Sequence, residues 1–215
     1  MKLVLTGGPS GGKTTMAHSI SKSFVDHVKM IPEAASILFG GGFVRRTYPE
    51  AVRLQQQAIF AVQIAHEGIF EWENKDQRLL ICDRGTLDGW AYWPENEDKD
   101  FFSAIGSSRD KEINRYDWVI HLDTAGAESY DQHNIIRIEN HSEADIINQR
   151  IKSCWSGHPQ RFIIPSTESF FRKVSAVISI VEGILSQKNY ETICRDLPID
   201  VHNGVFKVTE LPTKD

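Results

Sequence analysis

Short apolar runs alternate with longer amphipathic stretches along this chain, and the alternation predicts its architecture. Strands are expected at Lys2–Thr6, Val28–Ile31, Arg78–Asp83, Asp117–Asp123 and Arg161–Ile164. Their centres, such as Leu79-Leu80-Ile81-Cys82 and Phe162-Ile163-Ile164, are continuously apolar, as strands covered on both faces of a parallel sheet are. Helices are expected between them. The longest runs from about Pro49, well placed at a first helical position, to Trp72, with Leu54, Ala58, Ala61, Ala65, Ile69 and Trp72 at helical spacing. Phe170, Val174, Val177, Ile178, Val181 and Leu185 draw the same kind of stripe near the carboxyl end. Ser142-Glu143-Ala144-Asp145 has the form of a capping box that opens a helix through Trp155. This order predicts an α/β fold: a five-stranded parallel sheet with helices on both faces, three layers in all, and ligands at the carboxyl ends of the strands.

Those strand ends carry the candidate chemistry. The first strand runs into Gly7-Gly8-Pro9-Ser10-Gly11-Gly12-Lys13-Thr14, which fits G-x-x-x-x-G-K-[ST] between a strand and a helix. Gly8, Ser10, Gly11, Gly12, Lys13, Thr14 and Thr15 are expected to cradle a polyphosphate through backbone N–H groups and the helix N-terminus. Lys13 would reach the β- and γ-phosphates, and the Thr14 hydroxyl would bind Mg²⁺. A Gly-rich turn that binds nothing is the plain alternative; the lysine, the hydroxyl and the strand-helix context argue against it.

The second strand ends in Ile31-Pro32-Glu33. Glu33 is either a general base facing the crevice or a carboxylate favourable in a first helical turn. The third ends in Cys82-Asp83-Arg84-Gly85, where Asp83 is the second metal candidate or a turn residue. Arg84 binds phosphate, orients an acidic residue or forms a surface ion pair. Gly40-Gly41-Gly42 leads to Arg45 and Arg46, which bind an acidic substrate or are solvated. Gln56, Phe60, Gln63 and Glu67 lie in a row along the long helix. The row recognises a nucleobase or is a polar helix face with one buried Phe, and the second reading is the commoner. Asp123-Thr124-Ala125-Gly126 and Asn74-Lys75-Asp76-Gln77 echo GTPase motifs in the wrong order, with Gln77 where an aspartate belongs, and are read as coincidence. Residues 124–157 are expected to form a lid-like insertion, with Arg137 and Arg150 as the arginines that close on phosphate or as surface charges.

Composition narrows the choices. The 215 residues suit a single domain. A formal net charge of −5 gives no footprint for nucleic acid. No apolar run could span a bilayer and no signal peptide is recognisable, so a cytoplasmic protein is expected. The three cysteines lack the spacing of a zinc site or disulfide framework, and the eight histidines form no i,i+4 pair. The tail after about Lys188 carries Val201, Val205, Val208 and Leu211, which suggest something packed, such as a small strand.

Taken in order, Gly7–Thr15, Ile31-Pro32-Glu33-Ala34-Ala35, Cys82-Asp83-Arg84-Gly85-Thr86-Leu87-Asp88-Gly89, Arg137-Ile138-Glu139 and Trp155-Ser156-Gly157-His158-Pro159 resemble bacterial AAA-type P-loop domains. These are the domains related to the NadR ribosylnicotinamide kinase domain and to the TRPL translocation defect proteins. The resemblance covers Met1 to about Leu185. It implies ATP or GTP binding with Mg²⁺ and a fold like nucleoside and nucleotide kinases, and it supports Glu33 as the base. Two functions are expected to compete. One is a small-molecule kinase that moves the γ-phosphoryl of ATP to a nucleoside-like or vitamin-precursor-like hydroxyl. The other is an ATP- or GTP-dependent switch that hydrolyses slowly or not at all.

Overall fold

The computed structural model describes residues 1–94, 100–124, 141–166, 169–199 and 201. Its strands are β1 (Lys2–Gly7), β2 (Val28–Ile31), β3 (Leu79–Asp83), β4 (Trp118–Leu122) and β5 (Arg161–Ile164). They form one sheet in the order β2-β3-β1-β4-β5, and every neighbouring pair is parallel. The strand boundaries fall within a residue of those expected, because runs this apolar are stable only where both faces are covered.

The central strand divides the core. Leu3 and Leu5 of β1 point to one face, where they join Met16, Ile20, Phe162, Val177 and Val181. Val4, between them, points to the other face and joins Ile31, Leu80, Cys82, Val119, Ile151 and Trp155. The period of two along a strand thus feeds two separate apolar layers. The first is closed by α1 (Lys13–Ser23) and α8 (Phe170–Leu185), the second chiefly by α7 (His141–Cys154) and α4 (Asp88–Ala91). The carboxyl-terminal stripe behaves as its spacing predicts from Val174 on, whereas Phe170 at its start is 45% exposed. Val177 and Val181 are fully buried, and Val174, Ile178 and Leu185 pack against them.

The remaining helices are α2 (Ala34–Gly40), α3 (Pro49–Glu73), α5 (Phe101–Ile105), α6 (Arg109–Ile113) and α9 (Tyr190–Asp196). The short ones carry too few turns for periodicity to reveal. In the tail, Val201 packs against the first layer, and the residues beyond it lie outside the described residues.

The long helix α3 corrects the sequence reading. Its apolar stripe does not face the core: Leu54 is 64% exposed, Ile69 52% and Trp72 73%. The buried positions are Gln55, Gln56, Gln63 and Glu67. The row read most simply as a polar outer face is therefore the inner one, with Glu67 bound to Lys2 Nζ (2.9 Å), Gln63 Nε2 (2.9 Å) and the Tyr116 hydroxyl (2.7 Å). Buried polar groups with partners can replace an apolar face.

Candidate active site

Parallel strands that end together place loops together. Leu5 of β1 lies in register with Asp83 of β3, and Ile31 of β2 with Cys82. The loops after β1, β2 and β3 therefore open onto one cleft of about 830 Å³.

The loop after β1 is a wrapped P-loop. Gly12 caps α1 with φ 85°, a left-handed turn that glycine adopts without strain. The loop also packs tightly from behind: a Cβ on Gly8 would come within 2.1 Å of Thr124 Oγ1. The Gly8 N–H donates to Asn148 Oδ1 on α7 (3.1 Å), which also lies 2.9 Å from His121 Nε2. Lys13 folds back under the loop, its Nζ donating to the carbonyls of Gly7 (3.0 Å) and Gly8 (2.7 Å). Burial, reinforced by the positive charge of Arg84, pulls its pKa down to about 7 against the opposing pull of Asp83 and Glu33.

Glu33 caps the start of α2 and is turned inward. Its carboxylate pairs with Arg84 Nε and accepts from the Ser36 hydroxyl, while a quarter of its side chain remains exposed to the cleft. Burial opposes its charge, yet Arg84, Ser36 and Lys13 together hold its carboxyl below the ordinary range. Asp83 shows the reverse. Burial and the negative charge of Glu33 push its carboxyl up, and Arg84 and Lys13 offset this only in part.

Arg84 is not a surface ion pair; its side chain is 18% exposed and sits among the carboxylates. Its backbone is held at φ 71°, a conformation rare for a side-chain-bearing residue and found where a site fixes it. Its Nη1 lies 3.4 Å from Asp88 Oδ2 and 3.4 Å from the Gly7 carbonyl, and the guanidinium lies 5.9 Å from the centre of the Tyr92 ring. Asp88 is anchored in turn by the Thr6 hydroxyl (2.7 and 2.8 Å) and by Trp155 Nε1 (2.7 Å).

The cleft brings together Ser10, Gly11, Gly12, Lys13, Thr14, Thr15, Glu33, Arg45, Arg46, Gln56, Gln63, Asp83 and Arg84, all expected from the sequence. Gly8 lies directly beneath. Phe60 lines it as well, whereas Glu67 lies below, holding Gln63. Arg45 lies over the Phe39 ring at 5.5 Å. Arg46 is pinned through its backbone: its N–H donates to Gln55 Oε1 (2.6 Å) and its carbonyl accepts from Gln55 Nε2 (3.0 Å).

One expectation falls elsewhere and one is untested. Arg150 donates to the Trp93 carbonyl (2.6 Å) and lines a separate pocket with Trp90. Arg137 lies outside the described residues, as does the part of the expected lid from 125 to 140, whereas the part from 141 to 154 is α7, a helix packed in the core. Asn74 binds the backbone of Arg78 (2.7 and 3.0 Å) at the start of β3, the end of the sheet opposite the P-loop. Sequence reading missed Gln55, Asp88, Tyr92 and Asn148. Asp88 had a signal, standing in the same Asp-Arg-Gly-Thr-Leu-Asp run after the third strand as Asp83 and Arg84; Asn148 had none, because only tertiary packing brings α7 behind the P-loop.

Fold and loop together define a P-loop domain. The chain belongs to the AAA domain family AAA_28, whose model matches residues 2–173. Among solved structures it is similar to deoxyadenosine kinase from M. mycoides with bound dATP, at 15% identity and a TM-score of 0.57, covering 86% of this chain and 99% of that one. At that identity the likeness is one of fold. No curated protein matches the sequence significantly. Among the described residues, no helix is long and apolar enough to cross a membrane.

Proposed function

We propose that the chain is a Mg²⁺-dependent small-molecule kinase that transfers the γ-phosphoryl group of ATP to a hydroxyl of a nucleoside-like or vitamin-precursor-like acceptor. The observation that carries this reading is the Glu33–Arg84 pair, which lines the same cleft as Lys13. A switch protein needs no such base. Kinship with the ribosylnicotinamide kinase domain would place a vitamin precursor in the acceptor site, and the buried amides of Gln56 and Gln63 beside Phe60 suit a flat, hydrogen-bonding ring.

In this mechanism Gly8 and Ser10 to Thr15 bind the polyphosphate, and Lys13 leaves its carbonyl partners for the terminal phosphates. The acceptor oxygen forms the new bond to the γ-phosphorus as the bond to the β,γ-bridging oxygen breaks, and ADP departs with that electron pair. Glu33 takes the hydroxyl proton. Arg84 keeps Glu33 ionised and aimed, a role that suits a reaction governed by positioning and charge neutralisation. Asp83 and Thr14 fit a divalent cation, since Asp83 is a desolvated carboxylate beside Glu33 that any added positive charge would stabilise. Mg²⁺ held there would neutralise charge on the transferring phosphoryl group.

Arg45 and Arg46 are assigned to the acceptor, and Arg137 to the lid. We take residues 1–215 as one domain working in the cytoplasm without nucleic acid, with the lid-like insertion around 124–157 anchored by α7, which packs in the core. The test is consumption of ATP, and of GTP in parallel, against nucleosides, sugars and vitamin precursors. Acceptor-dependent release of ADP with appearance of a phosphorylated product supports the kinase, whereas nucleotide binding with no acceptor dependence across the panel favours the switch.

A further inference from the structure

Ser36 stands in the first turn of α2, three residues after Glu33, and its hydroxyl is already engaged with the carboxylate assigned above as the base. It donates to Glu33 Oε2, while Glu33 Oε1 is held by Arg84 Nε. With one oxygen taken by the guanidinium, the other is left to collect a hydroxyl proton. Ser36 therefore occupies the place that an acceptor hydroxyl must take. Its side chain is exposed and lines the same cleft as Lys13 and the P-loop.

The path from this hydroxyl to the phosphate site is short. Arg84 grips Glu33 through Nε, and its Nη1 lies 3.4 Å from the Gly7 carbonyl. Lys13 Nζ lies 3.0 Å from that same carbonyl. One carboxylate and one guanidinium thus separate the Ser36 hydroxyl from the lysine that the motif aims at the terminal phosphates. A serine built into the wall has already lost the translational and rotational freedom that a diffusing acceptor must still give up, which speeds intramolecular reactions by orders of magnitude.

We infer that Ser36 is an internal phosphoryl acceptor: given Mg·ATP and no small-molecule acceptor, the chain phosphorylates itself at this residue. The inference rests on Glu33 as the base of the reaction proposed above. Ser36 Oγ forms the new bond to the γ-phosphorus as the bond from that phosphorus to the β,γ-bridging oxygen breaks. ADP leaves with the electron pair, and the hydroxyl proton passes to Glu33. The product is a phosphate ester of about −1.5 to −2 charges near neutral pH, and the cleft has cations to hold it. Arg46 and Arg84 line it together with Ser36. Arg45 lies over Phe39 at 5.5 Å, and Phe39 follows Ser36 by three residues on the same side of α2, so this guanidinium is carried on the serine's side. Guanidinium groups bind phosphate oxygens through strong, paired hydrogen bonds.

The test is the intact mass of the full chain after incubation with Mg·ATP and no acceptor, followed by peptide mapping of the modified residue. The expected result is a gain of one phosphoryl group on Ser36, at a first-order rate that does not change with protein concentration because donor site and acceptor share one chain. Ser36→Thr should keep the label. Ser36→Ala should lose it while its melting temperature still rises with Mg·ATP, and Glu33→Gln should slow labelling by roughly 10²–10⁴-fold. No gain of mass in a chain whose melting temperature Mg·ATP raises overturns the inference and leaves Ser36 as a residue that orients Glu33. So does a label that maps elsewhere or persists in Ser36→Ala, or a rate that climbs with protein concentration. The acceptor panel is decided separately. Acceptor-dependent release of ADP with no label on Ser36 sinks this inference alone, whereas a label on Ser36 with no acceptor found in the panel upholds it and counts against the small-molecule reading.

Discussion

Lys13 and Glu33 are both shifted down within one cleft, which disfavours the charge of the first and favours that of the second. A lysine pulled down to about 7 by burial and by Arg84 gives up its proton in the folded chain far below its unfolded value of about 10.4. Between about pH 7 and 10 the unfolded chain then binds more protons at this residue, so its contribution to stability rises with pH across that window. A polyphosphate reverses the balance by favouring the ammonium. Nucleotide binding at pH 8 should therefore take up protons, and the calorimetric heat should vary with the ionisation enthalpy of the buffer; a buffer-independent heat would contradict the assignment. Glu33→Gln should leave nucleotide affinity nearly intact while lowering acceptor phosphorylation by roughly 10²–10⁴-fold, the usual share of a positioned base. Equal losses in binding and turnover would place Glu33 in structure instead. Asp83→Asn keeps the shape but removes the charge that attracts Mg²⁺, so turnover should fall by orders of magnitude while metal-free nucleotide binding persists. Unchanged Mg²⁺ dependence in that variant would reduce Asp83 to a strand-ending residue.

At the scale of elements, α3 links the pocket to the core. Its inner face replaces apolar side chains with Gln63 and Glu67, whose hydrogen bonds reach Lys2, Tyr116 and the Arg84 carbonyl (3.3 Å from Gln63 Nε2). The same helix fastens the loop before it through Gln55 and the backbone of Arg46. Gln55→Ala removes both bonds without touching the P-loop. The expected outcome in steady-state kinetics is a raised KM for the acceptor with kcat and nucleotide affinity little changed; a selective loss of nucleotide affinity would show that the loop serves the donor side.

Across the whole molecule, a ligand bound only by the native state stabilises it by RT ln(1 + [L]/Kd), about 2.7 kcal/mol at a hundredfold excess over Kd. Mg·ATP should raise the melting temperature, and Lys13→Ala should abolish the rise. A full shift in that variant would remove the P-loop assignment, since Lys13 is the side-chain cation the motif aims at the terminal phosphates.

The five strands, the parallel sense of their sheet and the P-loop were legible in the sequence, because continuous apolar runs and a Gly-rich Lys-Thr loop have few other solutions. Glu33, Asp83 and Arg84 were legible as candidates from their places at strand ends, but not as a group. What joins them is register: β3 between β2 and β1 brings three loops to one cleft, and only tertiary structure decides which strands are neighbours. The orientation of α3 was misread for a related reason. Periodicity finds an apolar stripe but cannot tell whether water, the core or a second chain covers it. The opposite face was buried because Lys2, Tyr116 and Arg84, distant in sequence, supply the partners that its amides and carboxylate require.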